Sequence, residues 1–348
     1  MAQRKQNHYL NFWKGIACFC VVFLHVRFPI EALDGILQTM CRFAVPLFFM
    51  ISGYFCYGDN KEIVEKKLPG KIKRIFWINL AGCFYYFLVQ MAIALFGDSH
   101  GSIKDVIEKL HMMFNKEAMV NWLVFNKDPF INIMWFTSAL LYCYLLFWVI
   151  NHFNLYPLFY GLIPTLLAFH FAIGNVLALF GNEIPEIYFR NFLLFGLPFF
   201  MLGNWLHKHK ARVLEKFTVE KCRGMICLGL FLGIGEWFLM GKREIYLGSL
   251  LVVVCVFLLA LYQPEKKEKS IITKIGMKYS LFVYIVHCSV ATVMERFADK
   301  LIVAETTIYY VYRFARPFVV FGISVAIAWA VYRVLDTRKI KTYKLEKE

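Results

Sequence analysis

Charge is scarce in this sequence, and acid is scarcer than base. Only 18% of the 348 residues are Asp, Glu, Lys or Arg, and 24 acids stand against 39 bases. A soluble globular domain carries about 25% charged residues. So little charge excludes a disordered chain and a coiled coil. CxxC pairs are missing although there are ten cysteines, so thiol spacing gives no metal or redox signature. Most cysteines, Cys18, Cys20, Cys83, Cys143, Cys227 and Cys255 among them, sit in apolar runs and read as small packing residues. GxSxG, GxGxxG and P-loop patterns are missing as well. That withdraws support from nucleophile-elbow hydrolases, dinucleotide enzymes and nucleotide-driven pumps. No His/Cys/Asp/Glu grouping has metal-ligand spacing, so no metal is expected.

Apolar side chain, by contrast, is in excess. It makes up 59% of the residues, with 36 phenylalanines, against about 45–50% for a soluble domain. One soluble core of this length cannot hide so much. An ordinary cytosolic enzyme is excluded, and an all-α polytopic membrane protein remains. The net charge of +15 then reads as basic flanks of membrane spans and not as a nucleic-acid footprint. No nucleic-acid partner is expected, and the bilayer is.

A span needs about 20 mostly apolar residues. Ten runs qualify, at 10–27, 41–58, 75–96, 131–150, 156–176, 191–206, 224–240, 244–262, 280–297 and 317–335. The first follows Arg4 and Lys5 as a signal peptide would. It contains Lys14 and His25 and lacks a small-x-small cleavage site, so it reads as a retained span. With the N-terminus inside, the inner segments hold 25 of the lysines and arginines (Arg333 counted with the C-terminal tail) and the outer segments 12. This asymmetry predicts ten transmembrane helices with both termini cytoplasmic. The longest loop, 97–130, is outer in this topology. Its stretch Lys104–Leu110 reads as an amphipathic helix on the membrane face. There is no internal repeat, and residues 1–348 read as one domain.

Polar groups at membrane depth cost free energy and are functional candidates by default. Lys14 and His25, eleven residues apart in the first span, share a helix face about 16 Å apart along the axis. A neutral imidazole at position 25 suits a general base. A histidine hydrogen-bonded at the headgroup level accounts for it equally well. For Lys14 alone, snorkelling to the inner interface is the preferred reading. In the second span Pro46 and Ser52-Gly53 permit a freed carbonyl and close helix approach. Lys71, Lys73 and Arg74 cluster where the inner loop meets span three. They suit cofactor phosphates, or more simply a topology anchor on lipid phosphate. Ser280, Tyr284 and His287 share one face of span nine. Glu236 stands near the outer end of span seven. His170, in span five, reads as a core histidine satisfied by a neighbouring helix.

These segments, in this order, resemble membrane acyltransferase family 3, the integral-membrane O-acyltransferases of bacterial surface polysaccharides. That family has a basic residue and a histidine eleven positions apart in span one, matched by Lys14 and His25, with Arg more usual at the first position. Its Pro-aromatic-Ser-Gly run is matched by Val45–Tyr54 and its basic-x-x-basic motif by Lys71 and Arg74. Its Trp-Phe pair is matched by Trp135-Phe136, its Leu-Pro-Phe-Phe-Met-Leu-Gly run by 197–203 and its Tyr-x-x-His by Tyr284 and His287. The resemblance runs from about His8 to Tyr332. Some relatives carry a fused extracytoplasmic hydrolase-like domain, and none is expected here.

The resemblance implies O-acyl transfer, acetylation foremost, with His25 as the catalytic base. It implies acyl-CoA, chiefly acetyl-CoA, as a donor substrate with no permanently bound cofactor. Lys14, Lys71, Lys73 and Arg74 would hold the donor, its pantetheine arm threading toward His25. Ser52 or Tyr284 would steady the oxyanion, with His287 and Glu236 in support. Arg27, Arg42, Glu236 and Arg313 would hold a sugar or polysaccharide acceptor. The location implied is the inner membrane of a bacterium. The rival reading is a non-catalytic exporter of a glycan or lipid-linked intermediate, which intramembrane polar groups fit equally well.

Overall fold

The computed structural model describes residues 7–96 and 102–345, the last nine of these without side chains. Arg4 and Lys5 of the basic N-terminal tail, and residues 97–101 of the long loop, lie outside the described residues. The described chain is helical, with no strand. In order come α1 (His8–His25), α2 (Glu31–Cys41), α3 (Ala44–Tyr54), α4 (Lys61–Phe96), α5 (Ile103–Phe114), α6 (Lys116–Phe125), α7 (Trp135–His152) and α8 (Tyr156–Phe171). They are followed by α9 (Leu177–Leu179), α10 (Leu197–Lys208), α11 (Lys210–Lys216), α12 (Val219–Met240), α13 (Leu247–Tyr262), α14 (Ile271–Lys274), α15 (Ser280–Leu301) and α16 (Thr307–Leu345). Wide π turns at Ala172–Val176, Phe192–Gly196 and Ile275–Tyr279 lead into α9, α10 and α15.

Seven stretches are long and apolar enough to cross a membrane: Glu31–Tyr54, Lys61–Phe96, Asn132–His152, Tyr156–Leu179, Val219–Met240, Ile271–Leu301 and Thr307–Asp336. The other three predicted runs fall on α1, α10 and α13, which are shorter or more polar. The chain is an all-α polytopic membrane protein. Exposed Phe76, Leu80, Phe84 and Leu88 repeat every fourth residue along α4, the stripe expected of a helix facing lipid tails.

Helices begin earlier than the apolar runs suggest. Residues 28–40, read as a loop, form α2, whose polar Asp34, Gln38 and Thr39 are buried. The inner loop 59–74 is the first four turns of α4, so Lys71, Lys73 and Arg74 stand on a helix. Lys and Glu are good helix formers, and they carry the helix through Pro69. The 97–130 loop holds both α5 and α6, and α5 opens with a Ser102–Asp105 capping box.

The described residues form two compact units. One takes its residues from Met1–Ala44, Val219–Trp237 and Leu247–Glu348, the other from Val45–Thr218 and Phe238–Tyr246. In the first unit, α1 lies in register beside the helix of α14, the π turn and α15. A Cβ on Gly276 would collide with the Asn11 carbonyl and the Gly15 amide, and one on Gly15 with the Ile272 carbonyl. Three residues beyond Gly15, the Cys18 thiol donates to the Ser280 carbonyl at 3.6 Å. In the second unit, Gly53 and Gly203 let α3 and α10 approach backbone to backbone, facing the carbonyls of Phe200 and Met50. There α4 binds α7 through Asn79, whose Oδ1 accepts from Thr137 (2.6 Å) and Ser138 (3.2 Å).

Two tests follow from this packing. Gly276→Val is expected to destabilise the protein by about 1–3 kcal/mol, the usual overpacking cost, read as a lowered melting temperature of the purified protein. The second concerns Asp128, in the loop before α7. Its carboxylate accepts from the Phe130 and Ile131 amides and the Cys83 thiol, yet burial pushes its pKa up. A carboxyl raised on folding binds its proton more tightly in the native state. Its contribution is therefore greatest in acid and is lost as pH rises through the raised value. Melting curves across pH should show that loss in the wild type and a flatter profile in Asp128→Asn.

Candidate functional site

In the first unit the parallel register carries α1 and α15 upward together. His25 lies ten residues beyond Gly15, and His287 eleven beyond Gly276. At 1.5 Å per residue both histidines stand about 16 Å above the glycine contact. Their rings meet with centroids 5.3 Å apart and planes tilted by 47°. His25 is exposed at the end of α1, whereas His287 is fully buried. His287 Nδ1 faces the Val283 carbonyl at 3.1 Å. A carbonyl only accepts, so the neutral ring carries its proton on Nδ1 and leaves Nε2 as the acceptor. The Cys288 sulfur is 3.3 Å from that nitrogen. Tyr284 is buried one turn earlier, its ring 6.2 Å from that of His287. Ser280 bonds back to the Gly276 carbonyl at 2.9 Å. Lys14, half-buried, is on α1 near the glycine contact.

The chain leaving His25 is held by a residue that the sequence reading passed over. Asp34 of α2 is 5% exposed; its carboxylate accepts from the Phe28 amide at 2.9 Å and from Gln38 at 2.7 Å. Arg27 lies 3.8 Å from it. Phe23 and Phe28, on either side of His25, pack on each other and on Phe318 of α16. Five residues before Phe318, Arg313 pairs with Glu295 at 2.7 Å, and Arg316 pairs with the same carboxylate at 2.5 Å. Glu295 escaped notice because its two partners lie on another helix. The Asp34 side chain gave a signal, an acid nine residues past His25, that was lost in a segment taken for loop.

Two of the predicted acceptor residues have structural employment. Arg42 is buried. The carboxylate of Glu236 accepts from the Leu247 and Gly248 amides at 3.2 and 3.1 Å. It thereby caps the N-terminus of α13, where a negative charge is favoured.

The second unit holds the basic cluster. The Lys71 ammonium donates to the Phe55 carbonyl at 2.7 Å, just past the end of α3, and lies 5.9 Å from the Tyr144 ring. A cation belongs at a helix C-terminus, so Lys71 ties α3 to α4. Lys73 and Arg74 are exposed. Ser52 hydrogen-bonds to Tyr144 and donates to the Phe48 carbonyl at 2.8 Å. Trp135 packs under the Arg190 guanidinium at 5.3 Å, and Arg190 in turn bonds Glu186 and Asn132. His170 is buried with Nδ1 on the Phe189 carbonyl at 3.1 Å, while its Nε2 is buried with no hydrogen-bond partner. One grouping of possible metal ligands occurs among the described residues, His8 with Glu265 and Glu268, and both carboxylates are exposed.

A polytopic helical membrane protein with paired histidines and a basic helix end is thus defined. A family model described as an acyltransferase domain matches residues 7–333. The chain belongs to this family, membrane acyltransferase family 3, and is an acyltransferase. No curated protein and no solved structure matches it.

Asp34→Ala leaves the buried Phe28 amide and the Gln38 amide group without their acceptor. It should cost about 1–3 kcal/mol in denaturation of the purified protein, and Asp34→Asn, which keeps one acceptor oxygen, should cost less.

Proposed function

We propose that this acyltransferase moves an acyl group, acetyl in the first instance, from acyl-CoA to a hydroxyl of a cell-surface sugar or polysaccharide, in the inner membrane of a bacterium. The observation that carries the reading is the His25–His287 pair: an exposed imidazole beside a buried one whose proton is fixed on Nδ1 by a backbone carbonyl. His25 is exposed, and His287 stands beside it with its Nδ1 proton on the Val283 carbonyl. His25 takes the acceptor proton as the hydroxyl oxygen bonds to the thioester carbonyl carbon. The carbon–sulfur bond then breaks, and the imidazolium returns the proton to the departing CoA thiolate. An acyl-histidine relay would use the same base with one further step. Tyr284 donates to the oxyanion; the Ser52 hydroxyl is already given to the Phe48 carbonyl.

The donor's phosphates fall to Lys73 and Arg74, which are exposed, with Lys71 on the same turn. Arg27 and Arg313 remain candidates for the acceptor.

The test is ester content of the surface glycan, by mass spectrometry, in a deletion strain carrying wild type or His25→Ala at matched membrane abundance. Wild type should restore an acyl mass increment, and His25→Ala should slow transfer by about 10²–10⁴-fold, the usual share of a general base. Full ester from His25→Ala would overturn the catalytic assignment. Loss of the glycan itself on deletion, with no change in esterification, would replace acyl transfer to glycan with export.

A further inference from the structure

The second unit contains a cavity of about 410 Å³ that the catalytic reading leaves unused. Its walls include Tyr57, Tyr156 and Tyr160, the lysines Lys61 and Lys208, and Asn151. Sites for small organic ligands span about 300–1,000 Å³ and pair flat apolar walls with a few polar groups. Three phenol rings and the Lys208 ammonium answer that description for a planar base bearing phosphate; the Lys61 ammonium is taken up by the His152 carbonyl at 2.9 Å and Glu65 at 3.7 Å. The Lys208 ammonium already lies 5.7 Å from the Tyr160 ring.

Asn151 supplies an independent sign of a missing partner. It is 2% exposed, and its Oδ1 accepts from the Tyr156 hydroxyl at 2.7 Å. Its Nδ2 is buried with no hydrogen-bond acceptor. A buried amide left so is destabilising, and a ring nitrogen or ribose oxygen on a ligand would satisfy it. The opening stands beside the basic cluster in the chain: Lys71 holds the Phe55 carbonyl, and Tyr57 follows two residues later. Asp59 also lines the cavity. Lys208 offsets it on the same wall. A phospholipid headgroup offers phosphate but no aromatic face for the tyrosines and no ring acceptor for the amide.

We propose that this cavity binds the adenine nucleotide end of the acyl-CoA donor, the base against the tyrosines and Asn151 and the ribose phosphate at Lys208, with the diphosphate left to Lys73 and Arg74. The proposal rests on the acyl-CoA reading above and adds to it a recognition site apart from Lys71, Lys73 and Arg74.

The experiment titrates purified protein in detergent with adenosine 3′,5′-bisphosphate by calorimetry, and measures turnover of acyl-CoA against acyl-N-acetylcysteamine, a thioester without the nucleotide. Lys208→Ala, a surface change, and Asn151→Leu should each weaken nucleotide binding about 10-fold. They should raise the KM for acyl-CoA while the truncated donor is used as by wild type. Inorganic pyrophosphate competing as well as the nucleotide would assign the cavity to bare phosphate or a lipid headgroup and overturn the base contact. Unchanged nucleotide binding in both variants, with acyl-CoA still consumed, would overturn the cavity assignment and leave the donor intact. Failure of the wild type to consume acyl-CoA would overturn both.

Discussion

The contact between Gly15 and Gly276 fixes the working part of the first unit. Two backbones meet there with no side chain between them, and in an apolar surrounding such close approach is what holds helices together. From that point α1 and the α14–α15 helix run in the same direction at the same rise. Cys18 reaches Ser280, and His25 reaches His287. The offset between partners stays near 261 residues at all three levels, so the histidine pair is a consequence of register set about three turns below. The π turn at Ile275–Tyr279 sits at the same level, where a wide turn shifts the face that α15 presents.

Every polar group carried to membrane depth must be met by protein, and this explains which candidates are committed to the fold. Glu236 is spent on the amides that open α13, and Lys71 on the carbonyl that closes α3. Ser52 and Ser280 bond back to carbonyls four residues earlier, as hydroxyls in apolar helices do. His287 is anchored on one nitrogen. His25, Lys73 and Arg74 are exposed, and they are the groups best placed to meet substrate.

Much of this was legible in the residues. The ten apolar runs each fall on helix, because length and composition suffice to mark apolar helices. The Ser280–Tyr284–His287 face was legible as i, i+4, i+7 spacing, a local quantity. What could not be read was pairing over distance. Nothing in the neighbourhood of His25 announces His287, 262 positions on, and Glu295 meets Arg313 and Arg316 only because α15 packs on α16. The helix α2 was hidden for a different reason. Its stretch Glu31–Cys41 mixes Glu31, Asp34, Gly35 and Gln38 after Pro29, which has the composition of a loop. Asp34, Gln38 and Thr39 face inward and are hydrogen-bonded there, so burial and polarity part company.

Charge distribution follows the same logic within each unit. In the first, Asn7 donates to the Ala260 carbonyl, the Tyr9 amide to that of Pro264, and Lys278 to Asp336. These contacts gather the start of α1, segment 263–279 and the far part of α16 at one end. The ion pairs of Asp34 and Glu295 stand at the other, the length of α1 away. In the second, residues 57–61, 151–160 and 208 wall one cavity, while Arg190 and Arg243 join Asn132, Glu183, Glu186 and Glu244 beyond the other end of α7. In the second unit the arginines at that far end are matched by carboxylates, Arg190 by Glu186 and Glu244 and Arg243 by Glu183. Arginine neutralised by a nearby acid adds little attraction for anionic lipid or cofactor. The end of the second unit that bears Lys73, Arg74 and Lys208 therefore holds the net positive field, and an anionic donor would be drawn to that end first.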